Sequence, residues 1–95
     1  MAVAVQLDFR GGTLEQYDEV IQKMGFMTRG AGPAGLLFHW ATKTADGIRV
    51  VDVWESREQF EKFGQEKIGP ITAEVGVPGP PQTTFLEVHN YLTAG

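Results

Sequence analysis

Four short stretches of this chain are apolar on both faces when drawn as extended strands, and no other feature constrains the fold so much. "AVAVQLDF" (2–9) puts Val3, Val5, Leu7 and Phe9 on one side, with Ala2 and Ala4 on the other. "LLFHWATK" (36–43) opposes Leu36, Phe38 and Trp40 to Leu37, His39 and Ala41. "IRVVDVWE" (48–55) opposes Ile48, Val50 and Trp54 to Val51 and Val53, and "TFLEVHNYL" (84–92) opposes Phe85 and Tyr91 to Leu86, Val88 and Leu92. A sheet with one face in water alternates between apolar and polar residues. These strands largely do not, so both faces of the sheet they form need a cover.

Helices supply one cover. After Gly11-Gly12, Thr13 and Gln16 form a capping box. Leu14, Tyr17, Val20, Ile21 and Met24 then fall on one helical face. Glu15, Asp18 and Glu19 near the start and Lys23 near the end suit the helix dipole. A Gly- and Pro-rich loop (28–35) follows. Asp46-Gly47 signals a hairpin between the second and third strands. Ser56 with Gln59 caps a second helix that turns Phe60 and Phe63 inward, and Pro70 opens a short third one reaching about Val75. "VPGPPQ" (77–82) is a stiff connector. The order βαββαβ predicts an α+β, ferredoxin-like fold. Its four-stranded antiparallel sheet has strand order 4-1-3-2, and both main helices lie on one face.

The other face is then bare. It would exceed the few hundred Å² of contiguous apolar surface that monomers tolerate, and a second copy of the same sheet is the simplest cover, giving a two-fold homodimer. The 95 residues make one domain, 1–95, too small for a second sheet or a large core. With 42% hydrophobic and 21% charged residues the composition is globular. A net charge of −4 without a basic cluster predicts no nucleic-acid and no membrane partner. The absence of cysteine excludes disulfides, thiolate metal sites and a cysteine nucleophile, and fits a cytoplasmic protein. "MAVAVQLDFR" has neither the basic start nor the long apolar core of a signal peptide, and no apolar run approaches the roughly 20 residues of a bilayer span.

One motif points elsewhere. "RGAGPAG" (29–35) carries Gly30, Gly32 and Gly35 in the spacing G-x-G-x-x-G of a dinucleotide loop. That loop works only between a strand and a following helix, whose N-terminal amides face the pyrophosphate. Here the order is helix, glycines, strand, and Pro33 removes an amide. The match reads as accidental, and the segment as a flexible loop able to cover a pocket.

The βαββαβ order, the doubly apolar strands and "VVDVWESREQFEKF" (50–63) together resemble the dimeric α+β barrel superfamily. That group includes antibiotic-biosynthesis monooxygenase-like proteins, stress-responsive barrel proteins and small polyketide cyclases. The resemblance spans essentially the whole chain. It implies two such sheets pairing into a dimeric α+β barrel, with a pocket between sheet and helices in each subunit.

Polar residues on strands meant to be buried are Gln6, Asp8, His39, Asp52, Glu87, His89 and Asn90. A two-residue Asp46-Gly47 turn sets His39 opposite Trp54 and Ala41 opposite Asp52. His39, Asp52 and Trp54 then share a face, with His39 and Asp52 diagonal neighbours at roughly 5–8 Å. A carboxylate beside an imidazole favours its protonation and fixes its tautomer, one way to make a general base. A slip of one residue would put the two on opposite faces. The catalytic candidates are thus His39 and Asp52, and the ligand-binding candidates are Trp54, Tyr91 and His89. Each has a plainer reading: a satisfied strand histidine, or an aromatic core residue. Thr13 and Ser56 read as helix caps.

No metal is expected, since strands 2 and 4 lie at opposite sheet edges and separate His39 from His89 by about 14 Å. No cofactor is expected either; haem-binding relatives within the superfamily commonly carry their histidine on a helix. Three functions remain open: a cofactor-independent monooxygenase or cyclase acting on a small apolar or aromatic molecule, a non-catalytic binder of such a molecule, and a structural or stress-related homodimer whose cavity is filled by Tyr17, Met24, Phe60 and Phe63.

Overall fold

The computed structural model describes residues 1–27 and 29–94. Strand β1 (Val3–Arg10) leads to helix α1 (Leu14–Met24), the hairpin of β2 (Leu36–Thr44) and β3 (Gly47–Trp54), helix α2 (Arg57–Phe63), a π-helical segment (Gly64–Ile68), helix α3 (Gly69–Val75) and strand β4 (Gln82–Glu87). The sheet is antiparallel with order β2-β3-β1-β4, the 4-1-3-2 arrangement read from its other edge. This is the ferredoxin-like α+β fold expected from the element order.

Local chemistry fixes the helix ends. The Thr13 amide donates to Gln16 Oε1 (3.0 Å) and the Gln16 amide donates to Thr13 Oγ1 (3.1 Å), completing the capping box. Gly25 ends α1 in the left-handed region (φ 88°), where its amide reaches the carbonyls of Ile21 and Gln22. Ser56 Oγ accepts from the Gln59 amide at 3.2 Å to start α2. From Arg57 to Val75 the chain stays helical, with the π-helical segment joining α2 to α3.

Cross-strand pairing aligns residues in rows across the sheet. On the helix-facing side one row runs Leu36–Trp54–Val3–Glu87, and the next His39–Asp52–Val5–Phe85. The core is built on this side from Val3, Val5, Leu7, Phe9, Ile48, Val50, Trp54 and Phe60. Trp54 is 1% exposed and meets Phe60 edge-on, ring centroids 5.9 Å apart. On the reverse side one row, Phe38–Val53–Ala4–Leu86, is wholly apolar. The next is Trp40–Val51–Gln6–Thr84, and the third, Thr42–Arg49–Asp8–Gln82, is polar. The sequence-stretch alternation therefore hides a gradient along the strands: the reverse face is greasy at one end only. Arg49 Nε donates to Asp8 Oδ1 at 2.7 Å and holds the Asp8 carboxyl below the usual carboxylate range.

Three local features differ from the sequence expectation. The hairpin turns at Ala45-Asp46, because Thr44 pairs with Gly47. The resulting register is two residues from the expected one, so every side chain keeps its face. A bulge between Leu36 and Phe38 lets Leu36 join the core side next to Trp54. Finally, β4 stops at Glu87 instead of running to residue 92. The Val88 amide still donates to the Ala2 carbonyl (3.1 Å), but His89, Asn90, Tyr91 and Leu92 have left the sheet and lie exposed.

Candidate functional site

Between the helix-facing side of the sheet and the helices lies a cavity of about 940 Å³. Its floor is the sheet side of Leu7, Val50, Asp52 and Trp54, its walls include Tyr17, Val20 and Met24 of α1, Phe63, Ile68 and Thr72, and its mouth is bordered by Arg29 to Pro33. The segment with the dinucleotide-like glycines is thus the rim of this cavity. The residues that a filled core would place inside, Tyr17, Met24 and Phe63, stand around the space, while Phe60 packs away from it against Trp54 and Phe85. Most of the lining is apolar, which suits a small hydrophobic or aromatic guest.

The polar groups form one chain. Because His39 and Asp52 pair directly across the hairpin, their side chains meet: His39 Nδ1 lies 2.5 Å from Asp52 Oδ1. The Trp54 indole N–H donates to the other carboxylate oxygen, Asp52 Oδ2, at 3.0 Å. On its far side His39 Nε2 is hydrogen-bonded to the Tyr17 hydroxyl, which reaches down from α1. The phenol and imidazole rings are nearly parallel (10°) with centroids 5.9 Å apart, so they touch at their edges, hydroxyl to nitrogen. Asp52 is buried (4% exposed) and both of its oxygens are engaged. Burial, reinforced by the carboxylates of Asp52 and Asp18, pushes the Tyr17 phenol up to about 12.

The structure thus brings His39, Asp52 and Trp54 together on the cavity wall. It places His89 and Tyr91 elsewhere: both follow the end of β4, and neither lines this cavity. Tyr17 is the member of the chain that the sequence reading assigned to packing. A signal was there, since it is the one hydroxyl in the stripe Leu14, Tyr17, Val20, Ile21, Met24. No group of three or more His, Asp or Glu side chains converges as a metal-ligand set among the described residues. No helix among them is long and apolar enough to cross a membrane.

Neither a protein-family model nor a curated protein sequence matches the chain. Solved structures do. A putative antibiotic biosynthesis monooxygenase from Deinococcus radiodurans is 10% identical with a TM-score of 0.60, over 100% of this chain and 99% of that one. SnoaB, a cofactor-independent oxygenase from Streptomyces nogalater, is 16% identical with a TM-score of 0.59, over 96% of this chain and 95% of the other. A monooxygenase from the gene ActVA-Orf6 of Streptomyces coelicolor, in complex with nanaomycin D, is 24% identical with a TM-score of 0.53, over 99% and 92%. The chain has the fold of these antibiotic-biosynthesis monooxygenase-like proteins, the resemblance already carried by its strand order and by residues 50–63.

Proposed function

We propose that this chain is a cofactor-independent monooxygenase that holds a small aromatic substrate, a phenol or its enol equivalent, between its sheet and helices, and that it works as a homodimer. The hydrogen-bonded chain Trp54–Asp52–His39–Tyr17 on the wall of a mostly apolar cavity carries this reading. SnoaB and the ActVA-Orf6 monooxygenase share the fold, the first described as a cofactor-independent oxygenase and the second holding nanaomycin D.

The chemistry asks little of a protein beyond proton transfer and positioning. Removing the hydroxyl proton of an electron-rich, fused-ring phenol lets the ring reduce dioxygen. A ring C–H becomes a carbonyl, the phenol oxygen becomes the second carbonyl, one oxygen atom of O2 stays in the quinone and the other leaves as water. All four electrons come from the substrate. His39 is the proton acceptor. Asp52 holds its tautomer and balances the imidazolium, and Trp54 holds Asp52. A base acting in this way contributes about 10²- to 10⁴-fold. The test is oxygen uptake and quinone absorbance with 1,5-dihydroxynaphthalene, in which the ring C–H para to each hydroxyl is free. His39→Ala should lower turnover by about 10²-fold or more while the protein stays folded. An unchanged rate removes His39 from the site, and binding of the naphthol without any oxygen uptake makes the protein a carrier of such molecules.

The dimer rests on the reverse face. Phe38, Trp40 and Leu86 are 56%, 44% and 58% exposed and stand in adjoining rows that cross all four strands. Polar residues bound the patch at Gln6, Thr84 and the Asp8–Arg49 pair. A second copy offers the same patch and closes it by two-fold symmetry.

A further inference from the structure

Both nitrogens of the proposed base are already engaged. A carboxylate only accepts hydrogen bonds. With Asp52 Oδ1 2.5 Å from His39 Nδ1, the neutral imidazole carries its hydrogen on Nδ1 and its lone pair on Nε2. The partner at Nε2 is the Tyr17 hydroxyl, which must then donate. Its proton is committed to the imidazole, so toward the cavity the Tyr17 oxygen offers lone pairs alone. A guest in the cavity reaches His39 through that oxygen.

We propose that Tyr17 is the catalytic residue that meets the ionising hydroxyl of the substrate, and that its hydrogen bond with His39 reverses direction when the proton passes through. The proposal rests on the aromatic-binding reading above. The substrate O–H proton goes to the Tyr17 oxygen as the Tyr17 proton goes to His39 Nε2. The products are a phenolate, a Tyr17 hydroxyl that is again neutral, and an imidazolium bonded through Nδ1–H to Asp52 and through Nε2–H to Tyr17. No electrons move, and the summed charge of the site is unchanged. The renewed Tyr17 O–H now points into the cavity and donates to the phenolate just formed. One atom therefore accepts from the substrate before the transfer and donates to the anion after it. That the phenol holds its proton up to about pH 12 keeps a discrete tyrosinate from accumulating.

The groups that set the protonation of this relay are few. Tyr17 faces His39 from α1 and Asp52 faces it from β3, while Asp18 acts on Tyr17 through space along α1. Arg29 stands on the cavity rim, and Lys43 lies two rows along β2 on the same side of the sheet.

Two probes read the polarity of Tyr17 without turnover. 1-Naphthol donates a hydrogen bond, whereas 1,4-naphthoquinone only accepts. Their affinities are followed by tryptophan quenching under nitrogen in the parent and in Tyr17→Phe. Because the Tyr17 oxygen only accepts toward the cavity before the transfer, Tyr17→Phe should weaken the naphthol by about fivefold for one hydrogen bond and leave the quinone unchanged. Nitrogen-15 spectra of the ligand-free protein should show His39 as the Nδ1–H tautomer, with the exposed His89 as internal reference. Equal affinities of the parent and Tyr17→Phe for the naphthol would overturn the relay and leave the aromatic pocket standing. Failure of both probes to bind the parent overturns the pocket reading together with the relay. An Nε2–H tautomer for neutral His39, or a quinone that Tyr17→Phe weakens as much as the naphthol, also overturns it.

Discussion

Asp52 and Trp54 lie two residues apart on one face of β3, and the indole N–H of the second donates to the carboxylate of the first at 3.0 Å. The other oxygen is taken by His39. Asp52→Asn keeps the shape but turns one acceptor into an N–H2 donor facing another donor. It should cost about 1–3 kcal/mol of stability and lower turnover by about 10²-fold or more. Urea unfolding and quinone formation measure the two effects. A variant as stable and as active as the parent would show that the carboxylate does not orient the imidazole.

Trp54 also carries the core. It is 1% exposed and packs on Phe60 and Phe63 with centroids 5.9 and 5.3 Å away. Trp54→Ala should destabilise by about 3–5 kcal/mol, lost contacts and cavity combined. Thermal unfolding reads this directly.

The apolar row Phe38–Val53–Ala4–Leu86 predicts association. Sedimentation at micromolar concentration should show a dimer, and a Phe38→Glu, Leu86→Glu double variant should sediment as a monomer with an unchanged circular dichroism spectrum. A monomeric parent protein rejects the dimer.

Tyr17 gives stability a signature at high pH. Its phenol titrates at about 12 in the fold, against 10.0 as its ordinary value. A folded-state value raised above the unfolded one favours the protonated form. The contribution is therefore complete below about pH 10 and is lost between about pH 10 and 12, at most about 3 kcal/mol. In chemical unfolding followed across this window, the parent should lose stability more steeply than Tyr17→Phe. Equal slopes would place the phenol in ordinary solvent.

At the hairpin end, a Cβ on Gly47 would lie 2.0 Å from the Phe9 carbonyl oxygen and 2.9 Å from the Gly11 nitrogen. Both neighbours are backbone and cannot rotate away. Gly47→Ala should cost about 1–3 kcal/mol or more, since β1 and β3 must part locally. A melting temperature equal to that of the parent would contradict the close approach.

Strand order and the shared face of His39, Asp52 and Trp54 were legible because both depend on period-two alternation and element order. The hairpin expectation was two residues out of register, yet alternation forgives an even error, and the true pairing brings His39 and Asp52 closer than the diagonal one. Tyr17 was not legible as a partner of His39. Helical spacing shows that it faces the sheet, but which strand residue it meets depends on how α1 lies across it. The end of β4 was missed because Tyr91 and Leu92 extend the apolar character of the stretch, while the sheet has no partner for them: β1 begins at Val3, opposite Glu87, and pairing ends with the Val88 amide on the Ala2 carbonyl. The bulge at Leu37 has no Gly or Pro to announce it.

That bulge divides β2 into two parts with separate duties. His39 follows it, locked in register against Asp52, whereas Leu36 and the rim from Arg29 to Pro33 precede it. A change in the rim can shift as far as the irregularity and be absorbed there. The rim can therefore vary apart from the proposed relay, so a library confined to residues 29–34 would explore new guests while His39 keeps its pairing with Asp52.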